Sequence, residues 1–138
     1  MPRAKRALDR FTEPYIEYFH RAAIKYNINV IAGTHLTVED GRLYNIAFLF
    51  HRDGRIDRQA KIHITPSEQR WWGVTGGSRV EVMDTDCGKV AIHVGGDVTY
   101  PELTRLADGL EPRRGGKATA CRPQGSSAFF RNAIQRYR

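Results

Sequence analysis

Cysteine is scarce. Cys87 and Cys121 are the only two in 138 residues, and neither has a companion at metal-ligand spacing. That argues against a disulfide-built scaffold and a cysteine-based zinc module, and leaves each as an ordinary thiol. No apolar run approaches the length of a membrane span, and the basic start MPRAKRALDR lacks the apolar stretch of a secretory leader. A soluble, cytoplasmic protein is expected, with no membrane partner. Internal repeats are missing too. Acidic residues nearly vanish towards the end: residues 109–138 hold seven Lys or Arg against the single acid Glu111, whereas residues 1–108 hold 15 basic and 14 acidic side chains. The formal charge of +7 therefore belongs to the tail. Few aromatics interleave with those basic residues, so a nucleic-acid tether ranks last among possible roles.

Two parts follow from this composition. Residues 1–108 read as one domain, and residues 109–138 as a basic, Gly/Pro/Arg-rich, atypical tail with no apolar period over 109–127. In the domain, Phe11, Tyr15, Ile16, Phe19, Ala22, Ala23 and Tyr26 recur at helical spacing. Thr12 is the expected N-cap and Asn27 the stop. Residues 28–34, INVIAGT, suit a strand buried on both faces. Turn signals at 39–42 and 51–54 bracket the apolar run 43–50, and the second leads to a strand over 55–64, so the two form an antiparallel hairpin. Lys61 and His63 then share one face of that strand.

Pro66 ends the strand, and residues 67–78 read as a loop whose Trp71 and Trp72 pack over the sheet. Residues 79–83 alternate as a strand, 84–88 turn, and 89–94 return as the hairpin partner. At that point Gly95-Gly96-Asp97 forms a sharp elbow, and a helix begins near Tyr100-Pro101-Glu102-Leu103. Strand, elbow and helix together expose a loop on a rigid support, the usual place for a site in an α/β protein. His63, His93 and Asp97 are too few and too irregular for a zinc site, so no metal or cofactor is expected; His35, His63 and His93 read as strand-end hydrogen bonders.

The elbow resembles the nucleophile motif of the nitrilase, or carbon–nitrogen hydrolase, superfamily: a strand, then Cys-Tyr-Asp-x-x-Phe-Pro-Glu-Leu. Asp97, Tyr100, Pro101, Glu102 and Leu103 fit it. Ile31-Ala32-Gly33-Thr34-His35, Gly41-Arg42-Leu43-Tyr44-Asn45 and Lys61-Ile62-His63-Ile64-Thr65-Pro66 with Glu68 extend the likeness from about Thr12 to Asp108. The resemblance implies an αββα sandwich, here partial, with a mixed sheet, in agreement with the α/β rhythm read from periodicity.

It also implies roles. In this family a Cys attacks a carbonyl, a Glu moves the proton and a Lys stabilises the oxyanion. Lys61 holds the place of the lysine, Glu68 that of an auxiliary glutamate which positions substrate, and Asp97, Tyr100 and Glu102 support the elbow. Two departures stand out. The nucleophile position is Gly95, and Met1 to Phe11 contains no Glu for the base; Asp9 lies in no matching motif. The expectation is an amidase- or nitrilase-type domain, related to enzymes that act on small amides or nitriles, whose catalytic set is incomplete. Family members commonly dimerise, so a homodimer is a possible assembly. The alternative is a non-catalytic module on the same scaffold, holding a small anion on the amides of Gly95-Gly96 or binding a protein.

Overall fold

The computed structural model describes residues 6–109; the tail and most of its boundary with the domain lie outside the described residues. Helix α1, Thr12–Tyr26, forms where the apolar spacing places it. It turns Tyr15, Ile16, Phe19 and Ala23 onto a sheet, where they meet Ile46, Phe48 and Phe50. Phe19 stacks on Phe50 with ring centroids 5.9 Å apart. Asn27 ends the helix in the left-handed region, at φ 53°, and its N–H and that of Ile28 close back on the last turn,. Thr12 is not the cap. A 3-10 turn over Ala7–Phe11 precedes the helix, and the Thr12 hydroxyl donates to Asp9 Oδ1 instead.

Strands β1 (Val30–Glu39), β2 (Arg42–Phe50) and β3 (Ile56–Ala60) form one antiparallel sheet in that order. Strands β4 (Val82–Thr85) and β5 (Gly88–Ala91) form a separate antiparallel hairpin. β2 lies between two cores. Its Ile46, Phe48 and Phe50 face α1, while Ala47 and Leu49 pack with Met83 of β4 and with Ile92 and Val94, which follow β5. Period-2 alternation divides the strand between them. Helix, three-stranded sheet and hairpin thus stack as successive layers, and a second helix, α2 (Pro101–Gly109), follows the elbow. The chain is α/β, and the expected sandwich is present in part. Its mixed character rests on one contact, an isolated parallel bridge between Leu43 and Val74; the named strands pair antiparallel throughout.

Three expectations change. β1 is an edge strand and not a doubly buried one, and Ile31 is 45% exposed because only one side of the strand reaches α1. β3 ends at Ala60 instead of reaching residue 64, because the N–H groups of Ile62 and His63 are taken by the carboxylate of Asp97. Likewise β4 starts at Val82, since Gln59 draws the preceding backbone to itself: its Oε1 accepts from Glu81 N, and its Nε2 donates to Arg79 O. Among the described residues no helix is long and apolar enough to cross a membrane.

Candidate active site

Lys61 is the residue around which the site is built. Its backbone is fixed on both sides, donating from N to Asn45 O of β2 at 2.8 Å and accepting at O from Gly77 N at 2.8 Å. A residue held this way at the end of β3 keeps its side chain rigidly aimed. Only 5% of Lys61 is exposed, and its Nζ donates to both oxygens of Glu68 at 2.7 Å. A buried ammonium with one bidentate carboxylate is the arrangement burial demands, since an unpartnered charge there is costly.

Glu68 is in turn prepared by its own neighbours. Thr65 donates to it from both N and Oγ1 at 2.9 Å, and Glu68 N returns a bond to Thr65 Oγ1 at 3.3 Å. This is the reciprocal Thr-x-x-Glu box that opens a helical turn, here the π-helical turn Glu68–Trp72. The loop expected to carry the tryptophans over the sheet is therefore a helical turn that directs Trp71 outward. It is 55% exposed, with the Arg70 guanidinium 5.1 Å from its ring centre. Burial by itself would push the Glu68 carboxyl up, but the bonds from Lys61 and Thr65 outweigh it and hold the group below its ordinary value of 4.5,.

The sign of that shift fixes a pH dependence. A carboxyl lowered on folding contributes stability that is complete above its ordinary value and is lost as pH falls through its folded one. Asp53 and Asp86 are also lowered, so acid weakens the fold at several places. In urea titrations between about pH 5 and pH 3, Glu68→Gln should therefore lose less stability than the unmodified chain, although it starts lower. Parallel pH profiles for the two proteins would contradict the shift.

The elbow faces this pair. Gly95 opens a 3-10 turn, Gly95–Thr99, at φ 56°, and a Cβ placed on it would lie 3.6 Å from Lys61 Nζ. Two residues on, Asp97 is 2% exposed. Its carboxylate accepts from Ile62 N at 3.0 Å and His63 N at 2.8 Å, and His63 Nδ1 lies 3.0 Å from Oδ1. Tyr100 stacks flat on the His63 ring, with centroids 3.7 Å apart. Lys61, Glu68, Gly95, Asp97 and Tyr100 are thus linked through the 61–68 segment. Glu102 is elsewhere: it is exposed in the first turn of α2 and makes no hydrogen bond or ion pair among the described residues.

Sequence reasoning missed the Asp97 clamp on residues 62 and 63, the His63–Tyr100 stack and the Thr65 partnership with Glu68. Only the last had a legible signal, the Thr-x-x-Glu spacing. His63 and His93 also part company, since His93 Nε2 sits 3.5 Å from Thr104 Oγ1 on α2. Asp9 stands apart from the site, where its carboxylate accepts from Val38 N and closes part of the outer edge of β1. Chemically, the arrangement places a buried cation beside the turn at which a side chain of residue 95 would begin. The cation could meet negative charge developing there. No side chain at Gly95 can supply that charge.

Comparison with known proteins gives the geometry a family. The curated "Probable hydrolase YhcX" of Bacillus subtilis is 51% identical over 104 residues, covering 75% of this chain and 20% of that protein. "Omega-amidase NIT3" of Saccharomyces cerevisiae is 26% identical over 102 residues, covering 67% of this chain and 35% of its own. A crystal structure of a carbon-nitrogen hydrolase from Helicobacter pylori superposes with a TM-score of 0.66 at 27% identity, covering 72% of this chain and 35% of that one. The chain therefore spans between a fifth and about a third of the length of these relatives. The family described as carbon-nitrogen hydrolase matches residues 6–111, and on that match the chain belongs to the carbon-nitrogen hydrolase family.

Proposed function

We propose that this chain is a nitrilase-type, amide-directed hydrolase domain that retains the oxyanion lysine and does not turn over amides in this form. The reading rests on one observation, the 3.6 Å between Lys61 Nζ and the Cβ position of Gly95. In the family's chemistry the thiolate at that position attacks the carbonyl carbon and electrons move onto oxygen. Lys61, buried and held by Glu68, is placed to stabilise that charge. Glu68 then serves to hold the lysine and shape the substrate side of the site. Small amides are the substrate class, a direction supported by the omega-amidase relative. A cytoplasmic location, a homodimeric assembly and the division at residue 108 belong to the same proposal.

The test is Gly95→Cys, made with Cys87→Ser and Cys121→Ser so that one thiol remains. Because Gly95 sits at positive φ, the substitution should cost about 1 kcal/mol of backbone strain. The new thiol should react with iodoacetamide several times faster than in the same protein carrying Lys61→Met, since the ammonium favours thiolate. Amide hydrolysis should stay at background in both, because a nucleophile without its base recovers almost none of the rate. Equal labelling rates would remove Lys61 from the role. Amide turnover by the unmodified chain would show that another nucleophile operates.

A second reading, a non-catalytic module for a small anion or a protein, is favoured by the open space around Gly96, where a Cβ would meet nothing within 4 Å. It ranks behind the first because Glu68 already compensates the nearby cation.

A further inference from the structure

The interface between α1 and β1 contains three buried polar atoms, Tyr15 Oη, His35 Nε2 and Thr37 Oγ1, that have no hydrogen-bond partner among the described residues. Their meeting on one interface follows from the backbone. β1 carries an irregularity between Ile31 and Thr34, where it spends one residue more than β2, with Gly33 at φ 88°. Before it, Val30 and Ala32 pack towards α1. After it, His35 pairs with Ile46 and Thr37 with Tyr44, side by side with residues of the same α1-facing core. An extra residue reverses which side chains face inward. Without the bulge, residues 34 and 36 would face α1; with it, His35 and Thr37 do. Tyr15 comes down from α1 and stacks on the His35 ring, with centroids 5.1 Å apart and planes 15° from parallel.

Three dry orphans on one interface would each cost a substantial fraction of the fold's stability. A single water, with two donors and two acceptor sites, can serve three such groups at once. We infer that the α1–β1 interface holds an internal water bound by Tyr15 Oη, His35 Nε2 and Thr37 Oγ1. Both hydroxyls can give or take a proton, and His35 Nε2 does either according to tautomer, so the set can match a water's needs without any charge. Burial pushes the Tyr15 phenol up, which keeps it a donor in the neutral range. The water would pin the first half of α1 to β1, an edge strand of the sheet.

Nuclear magnetic resonance of the full chain tests this directly. Water-selective rotating-frame experiments should show long-lived water contacts at the Tyr15 ring, the His35 ring and the Thr37 methyl. Absence of those contacts, or contacts only to another protein side chain, would overturn the inference. Stability gives an independent reading. Tyr15→Phe and Thr37→Val should each lower the folding equilibrium constant by roughly threefold or more. The double substitution should cost less than the product of the two, since both act through one molecule. If the interface were dry, either substitution would remove an unsatisfied group and raise stability, which is the opposite result.

Discussion

Asp97→Ala should destabilise the domain by about 3 kcal/mol or more, and it should do so by releasing the segment that carries Lys61. The carboxylate accepts from Ile62 N and His63 N and meets His63 Nδ1, all from a position 2% exposed. Alanine leaves the two backbone N–H groups without their acceptor, and hydrogen bonds to an ionised group are the stronger kind. Asparagine should recover little, because its NH₂ would face a donor where one carboxylate oxygen now accepts. Urea denaturation of the three proteins measures the order. A loss below about 1 kcal/mol for alanine would mean that the clamp does not hold the segment. In the Gly95→Cys protein the same change should also erase the effect of Lys61 on labelling, because the lysine would no longer be aimed at the elbow.

Glu68→Ala should be comparably severe, at about 3 to 5 kcal/mol, for an electrostatic reason. It leaves the Lys61 ammonium buried, with both of its short bonds to carboxylate gone. Removing the pair together should be far milder. Lys61→Met with Glu68→Leu fills similar volume without charge, and replacing a buried ion pair by apolar groups is often close to neutral. The expected ranking is therefore unmodified chain close to the double variant, and both well above Glu68→Ala. A double variant as weak as the single one would show that packing of residue 68, and not its charge, supports this corner.

Where periodicity was strong the fold was legible: Tyr15, Ile16, Phe19 and Ala23 mark the buried side of α1, Asn27 its end, and residues 39–42 and 51–54 the turns. The ends of the strands were not, because they are decided by distant side chains. Asp97 stops β3 and Gln59 delays β4, and both act across the fold on backbone groups that local sequence cannot foresee. Residues 28–34 looked doubly buried because Ile28, Val30 and Ile31 are β-branched, yet being at an edge is a property of the sheet and not of the strand. In the site, the closeness of Lys61 and Gly95 follows what the family resemblance implied when it gave them the places of the lysine and the nucleophile. The reciprocal bonding of Thr65 and Glu68 was written in their spacing and passed over. The basic tail lies outside the described residues.

The position of β2 between two cores has a consequence for how this sequence can change. Most surface-facing strands drift freely on their outer side, but β2 has no outer side from Ile46 to Phe50. A polar replacement there strands a group in one core or the other, and a larger apolar one overfills it. Variation in the sheet is therefore confined to the two flanking strands, whose exposed positions already carry Thr34 and Arg58. Divergent relatives of this domain should differ most along those flanks and hold an unbroken apolar run in the middle, whatever becomes of the chemistry at residue 95.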